Sequence, residues 1–189
     1  MHDGSPDERS DADLAAARGG DAEAFARLMD AHRAAVGRIL WRFTRDRGDW
    51  EALVQDTFVE MHRSLDRYRA DAPLAHWLAR IATRVGYASW RRRRRERTRR
   101  AVLLGDGRAA TRDAIDPAMA AEIVHGLLAR LRPDDRLVLT LVHLECLSLD
   151  AAADRAGWSR SGMKMRVLRA RRRLADVARA QGIEPGDCR

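Results

Sequence analysis

The stretch Ser148–Leu174 reads SLDAAADRAGWSRSGMKMRVLRARRRL, and the fold follows from how it is parsed. Ser148 stands where it can cap a helix over Leu149 to Ala156, and Ser159 where it can cap a second helix running to about Leu174. A serine in that place accepts hydrogen bonds from the first free amides of a helix. Gly157, between the two, permits a left-handed or closely packed turn. Short helix, glycine turn and basic helix together form the pattern of a helix-turn-helix. In that motif the first helix crosses the DNA backbone and the second enters the major groove. Arg160, Lys164, Arg166, Arg169, Arg171, Arg172 and Arg173 provide cations along the second helix for phosphates and base edges. Many regulators share this pattern, so alone it defines a DNA-binding helix pair and not a function.

Working outward, a helical cluster leads into that pair. Asp116 and Pro117 form a cap and a first-turn proline. Ile123, Leu127, Leu128 and Leu131 make one apolar stripe, Pro133 interrupts, and Leu137, Leu141 and Leu144 mark a further helix. Before Asp116 the periodicity fails: Gly105, Asp106, Gly107 and the charged residues around them read as a tether. Earlier still, three stripes of helical period can close a core of their own. Phe25, Leu28, Met29, His32, Val36, Ile39, Leu40 and Phe43 follow a cap at Asp21. Trp50, Leu53, Val54, Thr57, Phe58, Met61 and Leu65 follow a cap at Asp49. Leu74, Trp77, Leu78, Ile81 and Val85 follow Pro73 at a first helical position. No segment of useful length has the period of a strand. The expected fold is all-α, with two small helical domains joined by a flexible linker and the helix-turn-helix in the second. The boundaries are a disordered tail over 1–10, domains over 11–95 and 117–178, a linker over 96–116 and a tail over 179–189.

Charge points the same way. The net charge is +8, but Arg91–Arg100 and Ser159–Arg173 each carry +7, leaving −6 for the remainder. Basicity gathered into two segments suits two contacts with a polyanion better than general solubility. Up to Asp30, eight acids stand against three arginines. Cys146 and Cys188 give neither a disulfide framework nor a zinc pattern; Cys146 is expected to be a small core residue, and no metal or cofactor is expected. The sequence has no phosphate-binding glycine loop, nucleophile setting or helical His-Glu-x-x-His pattern, so an enzyme is disfavoured. No apolar run approaches the roughly 20 residues of a membrane span, and the polar start is unlike a signal peptide, which predicts a cytoplasmic protein.

The segment Leu131–Leu174 resembles region four of bacterial sigma factors of the sigma-70 family. Glu145-Cys146-Leu147-Ser148 stands where that family writes E-G-L-S. The run from Gly157-Trp158-Ser159 to Arg171-Arg172-Arg173-Leu174 follows its G-x-S-x-x-x-V-K-x-R-L-x-R-A-R-x-x-L. Asp49–Leu65, DWEALVQDTFVEMHRSL, is similar to the region-two helix that grips the polymerase clamp. Asp66–Arg95 resembles the segment that melts the promoter's −10 element. The resemblance spans about Asp11 to Ala178 without the extra regions of housekeeping factors, which points to the small extracytoplasmic-function (ECF) group. It implies core RNA polymerase (its β and β′ subunits) and promoter DNA as partners, and admits an anti-sigma factor; the free protein is expected to be a monomer that binds DNA poorly. It assigns Leu53, Gln55, Asp56 and Phe58 to the polymerase-binding helix, with Gln55 and Asp56 exposed and Leu53 and Phe58 in the core. It assigns Arg69, Asp71, Arg80, Arg84, Tyr87, Trp90, Arg91 and Arg92 to the −10 element. Rings among cations suit that task, because unpaired bases stack on them. Trp77, on the apolar stripe, is expected in the core. Ser159, Arg160, Ser161, Lys164, Arg166 and Arg169 are assigned to the −35 element. The chain departs from the family at Arg84 (commonly Asn), Ala88 (commonly Asp), Met61-His62 (commonly Ala-Trp) and Gly162 (frequently Thr). Its first short helix carries Ala152, Arg155 and Ala156 where bulkier aliphatics are usual.

The rival is a stand-alone helix-turn-helix regulator, which explains Ser148–Leu174 but neither the arginine run nor the 49–65 segment. A third reading makes Arg91–Arg100 an RNA-binding arm of an adaptor.

Overall fold

In a computed structural model, which describes residues 6–104 and 117–183, every regular element is helical. The helices are α1 (Pro6–Arg18), α2 (Ala22–Leu40), α3 (Arg47–Ser64), α4 (Leu74–Leu104), α5 (Pro117–Arg130), α6 (Pro133–Leu139), α7 (Leu149–Ala156) and α8 (Arg160–Ala180). A 3₁₀ turn, Leu65–Arg67, follows α3, and a π-helical turn, Thr140–Leu144, follows α6. The chain divides into two compact units, Met1–Gly86 and Tyr87–Arg189, so the division falls inside α4.

In the first unit, α2 packs on α1 and on α3. Asp21 caps α2 as expected, accepting from the amides of Glu23 at 2.9 Å and Ala24 at 3.1 Å. The stripes meet in a core of Leu28, Val36, Leu40, Phe43, Leu53, Val54, Phe58, Met61, Leu65, Leu78 and Ile81. Met61 is fully buried and its neighbour His62 is exposed, its ring edge-on to Phe25 at 5.1 Å. The Met-His departure thus leaves one apolar filler and one surface ring. Helix α4 comes close to the core at Gly86, where an added Cβ would lie 2.4 Å from the Phe43 ring.

In the second unit, α8 packs against α5, α6 and α7 around Leu128, Leu131, Leu137, Val138, Leu141, Met163, Val167 and Ala170. Ala152 and Ala153 of α7 are buried, so the small residues of this helix let it lie close to its neighbours. Asp135 is only 4% exposed and is neutralised by Arg173 at 2.5 Å.

Several expectations need correction. The tail over 1–10 overlaps α1, which begins at Pro6 and carried no periodic stripe to announce it. Asp46, not Asp49, caps α3, accepting from the Asp49 amide at 2.7 Å. Pro73 precedes α4, its carbonyl accepting from the amides of His76 and Trp77. The arginine run continues α4 to Leu104, because straight-chain arginines are good helix formers, so 96–104 is helix and not tether. Helix α8 extends to Ala180, past its expected end at about Leu174 and past the expected domain boundary at 178. Cys146 is exposed with φ 51°: it lies in the turn between the π-helical segment and α7, outside the apolar helix. The expected tether over 105–116, the Asp116 cap and Cys188 lie outside the described residues.

Candidate nucleic-acid interface

The helix-turn-helix has the anatomy its capping residues dictate. Ser148 accepts from the Ala151 amide at 3.2 Å, and Gly157 ends α7 in the left-handed region at φ 71°. Ser159 accepts from the Gly162 amide at 3.2 Å. A Cβ on residue 162 would stand 2.9 Å from the Ser159 hydroxyl, so glycine gives that cap room. Met163, Val167, Ala170 and Ala178 turn α8's inner face into the core. The outer face carries Ser161, Lys164, Met165, Leu168, Arg169 and Arg172, all exposed.

The assigned −35 residues fall into two groups. Lys164 and Arg169 face solvent, and Arg169 reaches only the Met165 carbonyl at 3.3 Å. Arg160 makes an exposed ion pair with Asp150 at 2.9 Å, of a kind worth little in water. Arg166, by contrast, bonds Asp134 at 3.2 Å and lies over the Trp158 ring at 4.4 Å. Arg171 donates to His143 at 3.2 Å, and burial, then that guanidinium, lowers the His143 pKa. Met165 and Leu168, 51% and 46% exposed, were missed by the sequence reading. A pattern that assigns apolar residues to the core has no means to find two on the outer face.

On α4, Arg80, Arg84, Ala88 and Arg92 recur at four-residue intervals and are all exposed, as is Arg91. The two departures, Arg84 and Ala88, are therefore neighbours on one strip. Tyr87 and Trp90 point elsewhere, into the second unit. The Tyr87 hydroxyl donates to Asp134 at 2.5 Å and its ring meets Trp158 edge-on at 6.3 Å. Burial and then the Asp134 bond push the Tyr87 pKa up to about 12. Trp90 is 5% exposed, with the Arg136 guanidinium 3.9 Å over its ring. Burial, then repulsion from Arg93 and Arg97, lowers the Arg136 pKa to about 10. In this arrangement the Trp90 ring is buried beneath Arg136 and the half-buried Tyr87 is held by its hydroxyl.

Arg69 and Asp71 lie at the exposed tip of a tight loop, with Ala70 between them at φ 57°. The loop is closed from beneath by Tyr68, whose hydroxyl donates to the Ala72 carbonyl at 2.6 Å and whose ring lies 5.2 Å from Trp77. Trp77 is half-buried, packed on that loop more than in the core proper. Arg18 of α1 donates to the carbonyls of Leu65 and Tyr68 and fixes the loop's base. Neither Tyr68 nor Arg18 was singled out in the sequence, since their role exists only once α1 and this loop are brought together. On α3, Gln55 and Asp56 are exposed, together with Val59, while Leu53 and Phe58 are buried.

The comparisons identify the scaffold. Residues 28–96 match the family model for sigma-70 region 2, and residues 121–174 that for sigma-70 region 4. The chain is 33% identical over 174 residues to the ECF RNA polymerase sigma factor SigM of Mycobacterium tuberculosis, covering 91% of this chain and 86% of the relative. The chain belongs to the ECF sigma factors of the sigma-70 family. CnrH of Cupriavidus metallidurans, an RNA polymerase sigma factor, is 31% identical over 179 residues, 89% of this chain and 94% of that one. A solved structure of CnrH with the cytosolic domain of CnrY aligns with a TM-score of 0.57 at 26% identity, covering 91% of this chain and 98% of the other. This sigma factor is thus a transcription initiation factor that works with RNA polymerase on promoter DNA, and the stand-alone regulator is not favoured. No helix among its described residues is long and apolar enough to cross a membrane.

Proposed function

We propose that this sigma factor docks on the polymerase through Gln55 and Asp56 of α3, opens the −10 element with Arg69, Asp71 and the α4 strip of Arg80, Arg84, Arg91 and Arg92, and reads the −35 element with α8. The observation that carries the reading is the outer face of α8. Ser161, Lys164 and Arg169 stand exposed there on a helix whose opposite face is buried and whose start is capped for groove entry. Lys164 and Arg169 are the leading base and phosphate contacts. Met165 and Leu168 between them provide apolar contact, which suits a thymine methyl. Arg166 is a positioning residue that ties α8 to Asp134. Tyr87 joins the −10 contacts only after releasing Asp134, and Trp90 only after leaving Arg136. Acting through binding and not catalysis, the protein works in the cytoplasm where polymerase and chromosome are. The complexes of CnrH with the cytosolic domain of CnrY and of the Bartonella quintana sigma factor RpoE with the anti-sigma factor NepR support an anti-sigma partner for this chain too.

The test is to reconstitute holoenzyme, select fragments of the source genome by binding, and sequence them. The expected result is a shared pair of motifs at fixed spacing, with K164E/R169E losing enrichment of the upstream motif roughly tenfold or more, as expected for two lost contacts of about 1–3 kcal/mol each. A single palindrome bound equally well without polymerase would overturn the reading.

A further inference from the structure

A third basic region lies outside both segments that the charge pattern picked out. Between Arg33 and Arg47 the sequence holds five arginines and one acid, Asp46. The fold gathers those arginines around a cleft of about 830 Å³ where the end of α2 faces the start of α3. Asp30 is the cleft's one acidic lining residue. Two indoles line the same cleft. Trp50 is fixed: its Nε1 donates to the Gly37 carbonyl at 2.9 Å, and its ring lies where a Cβ on residue 37 would come within 2.7 Å. Trp41 meets Trp50 edge-on at 6.3 Å and is 39% exposed, with Arg45 stacked 5.5 Å from its ring. Among the described residues, no ion pair occupies Arg33, Arg38 or Arg42.

An arginine cluster attracts any polyanion, but an exposed ring held among arginines selects further. A carboxylate-rich peptide is satisfied by guanidinium groups alone, and duplex DNA keeps its bases stacked inside. A single strand presents phosphates and free base faces together, and both are matched here. The cleft is also separate from the loop at 65–73. That loop follows the C-terminal end of α3, whereas Arg47 opens the helix, about 25 Å away at 1.5 Å per residue.

We propose that this cleft is a second binding site for single-stranded DNA, in which an unpaired base stacks on Trp41 and the flanking phosphates are held by Arg33, Arg38 and Arg42. It rests on the sigma reading, because promoter melting is what supplies the strand. The site would hold a part of the displaced strand that the −10 loop does not.

The test uses holoenzyme on a promoter recovered by the selection above, with bromodeoxyuridine placed along each strand for photocrosslinking, and the whole free chain with labelled oligodeoxythymidylate. The expected results are a crosslink at Trp41 in the melted complex and a fall of about five- to tenfold or more in oligodeoxythymidylate affinity for W41A, the effect of losing one stacked base. R33E/R38E, at two exposed positions whose reversal leaves the core intact, is expected to weaken the same binding and flatten its salt dependence. Its retained core-polymerase binding keeps the result separate from the sigma reading, which falls only if no melted promoter complex forms at all. A melted complex without a Trp41 crosslink, and wild-type oligonucleotide affinity in R33E/R38E, would overturn the cleft proposal. So would a polyglutamate probe that binds the cleft when oligodeoxythymidylate does not.

Discussion

Tyr68 and Tyr87 are the only tyrosines in the chain, and each has its hydroxyl engaged, Tyr68 with the Ala72 carbonyl and Tyr87 with Asp134. Burial is the largest cause of a raised pKa in both, and for Tyr87 the carboxylate that accepts its proton adds to it, giving about 12. A phenol whose folded pKa exceeds its unfolded value of about 10 stabilises the fold fully below pH 10. That contribution is lost as pH rises through the folded value, for Tyr87 between about 10 and about 12. Phenolate absorbance of the folded chain is therefore expected to show neither tyrosine titrating at its ordinary value, and Asp134→Asn to bring one of the two down. An Asp134→Asn chain whose tyrosines titrate as in the wild type would contradict the Tyr87–Asp134 contact. None of this was legible in the sequence, where Tyr87 read only as a ring beside arginines. Its partner is 47 positions away, and nothing local signals that bond. The caps at Asp21, Ser148 and Ser159 were legible because their partners are two or three residues on.

Helices betray themselves when one face is apolar and their ends are capped, and α2, α3, α7 and α8 meet both conditions. Helix α1 carries no such stripe: among its described side chains Leu14 and Ala17 are the buried apolar ones, and it holds its place partly through Arg18 bonds to distant carbonyls. Cys146 misled because Leu137, Leu141 and Leu144 continue a helical stripe to its doorstep, while the chain leaves the helix through a π-helical turn. The cleft at Trp41 was hidden for a related reason, since its cations are spaced along α2 and the following turn and become a cluster only when α3 brings Trp50 across. Packing between helices also decides the effect of substituting Gly86. Helix propensity alone favours alanine there by about 1 kcal/mol. The added methyl, however, would sit 2.4 Å from the buried Phe43 ring, and overpacking of that kind costs about 1–3 kcal/mol. Gly86→Ala is expected to lower the midpoint of urea unfolding, followed by tryptophan fluorescence. A raised midpoint would mean that Phe43 does not lie against α4.

Across the whole chain, the two matched regions cover residues 28–96 and 121–174, and the first of them runs past the division between the compact units at Gly86. The all-α class and the order of the helices were legible because amphipathic period and capping are local properties. The extent of α4 was not, because its arginines satisfy the rules for a solvated helix and for a tether alike. An ECF sigma factor is defined by what it does with polymerase, and the exposed Asp56 on α3 is the residue through which that is most directly tested. The decisive measurement is binding of the purified chain to core RNA polymerase by gel filtration, in competition with another sigma factor. A stable, competitive complex, weakened about tenfold or more by Asp56→Lys as a docking charge turns repulsive, is the expected result. Absence of a complex, with tight binding to duplex DNA by the chain alone, would contradict it.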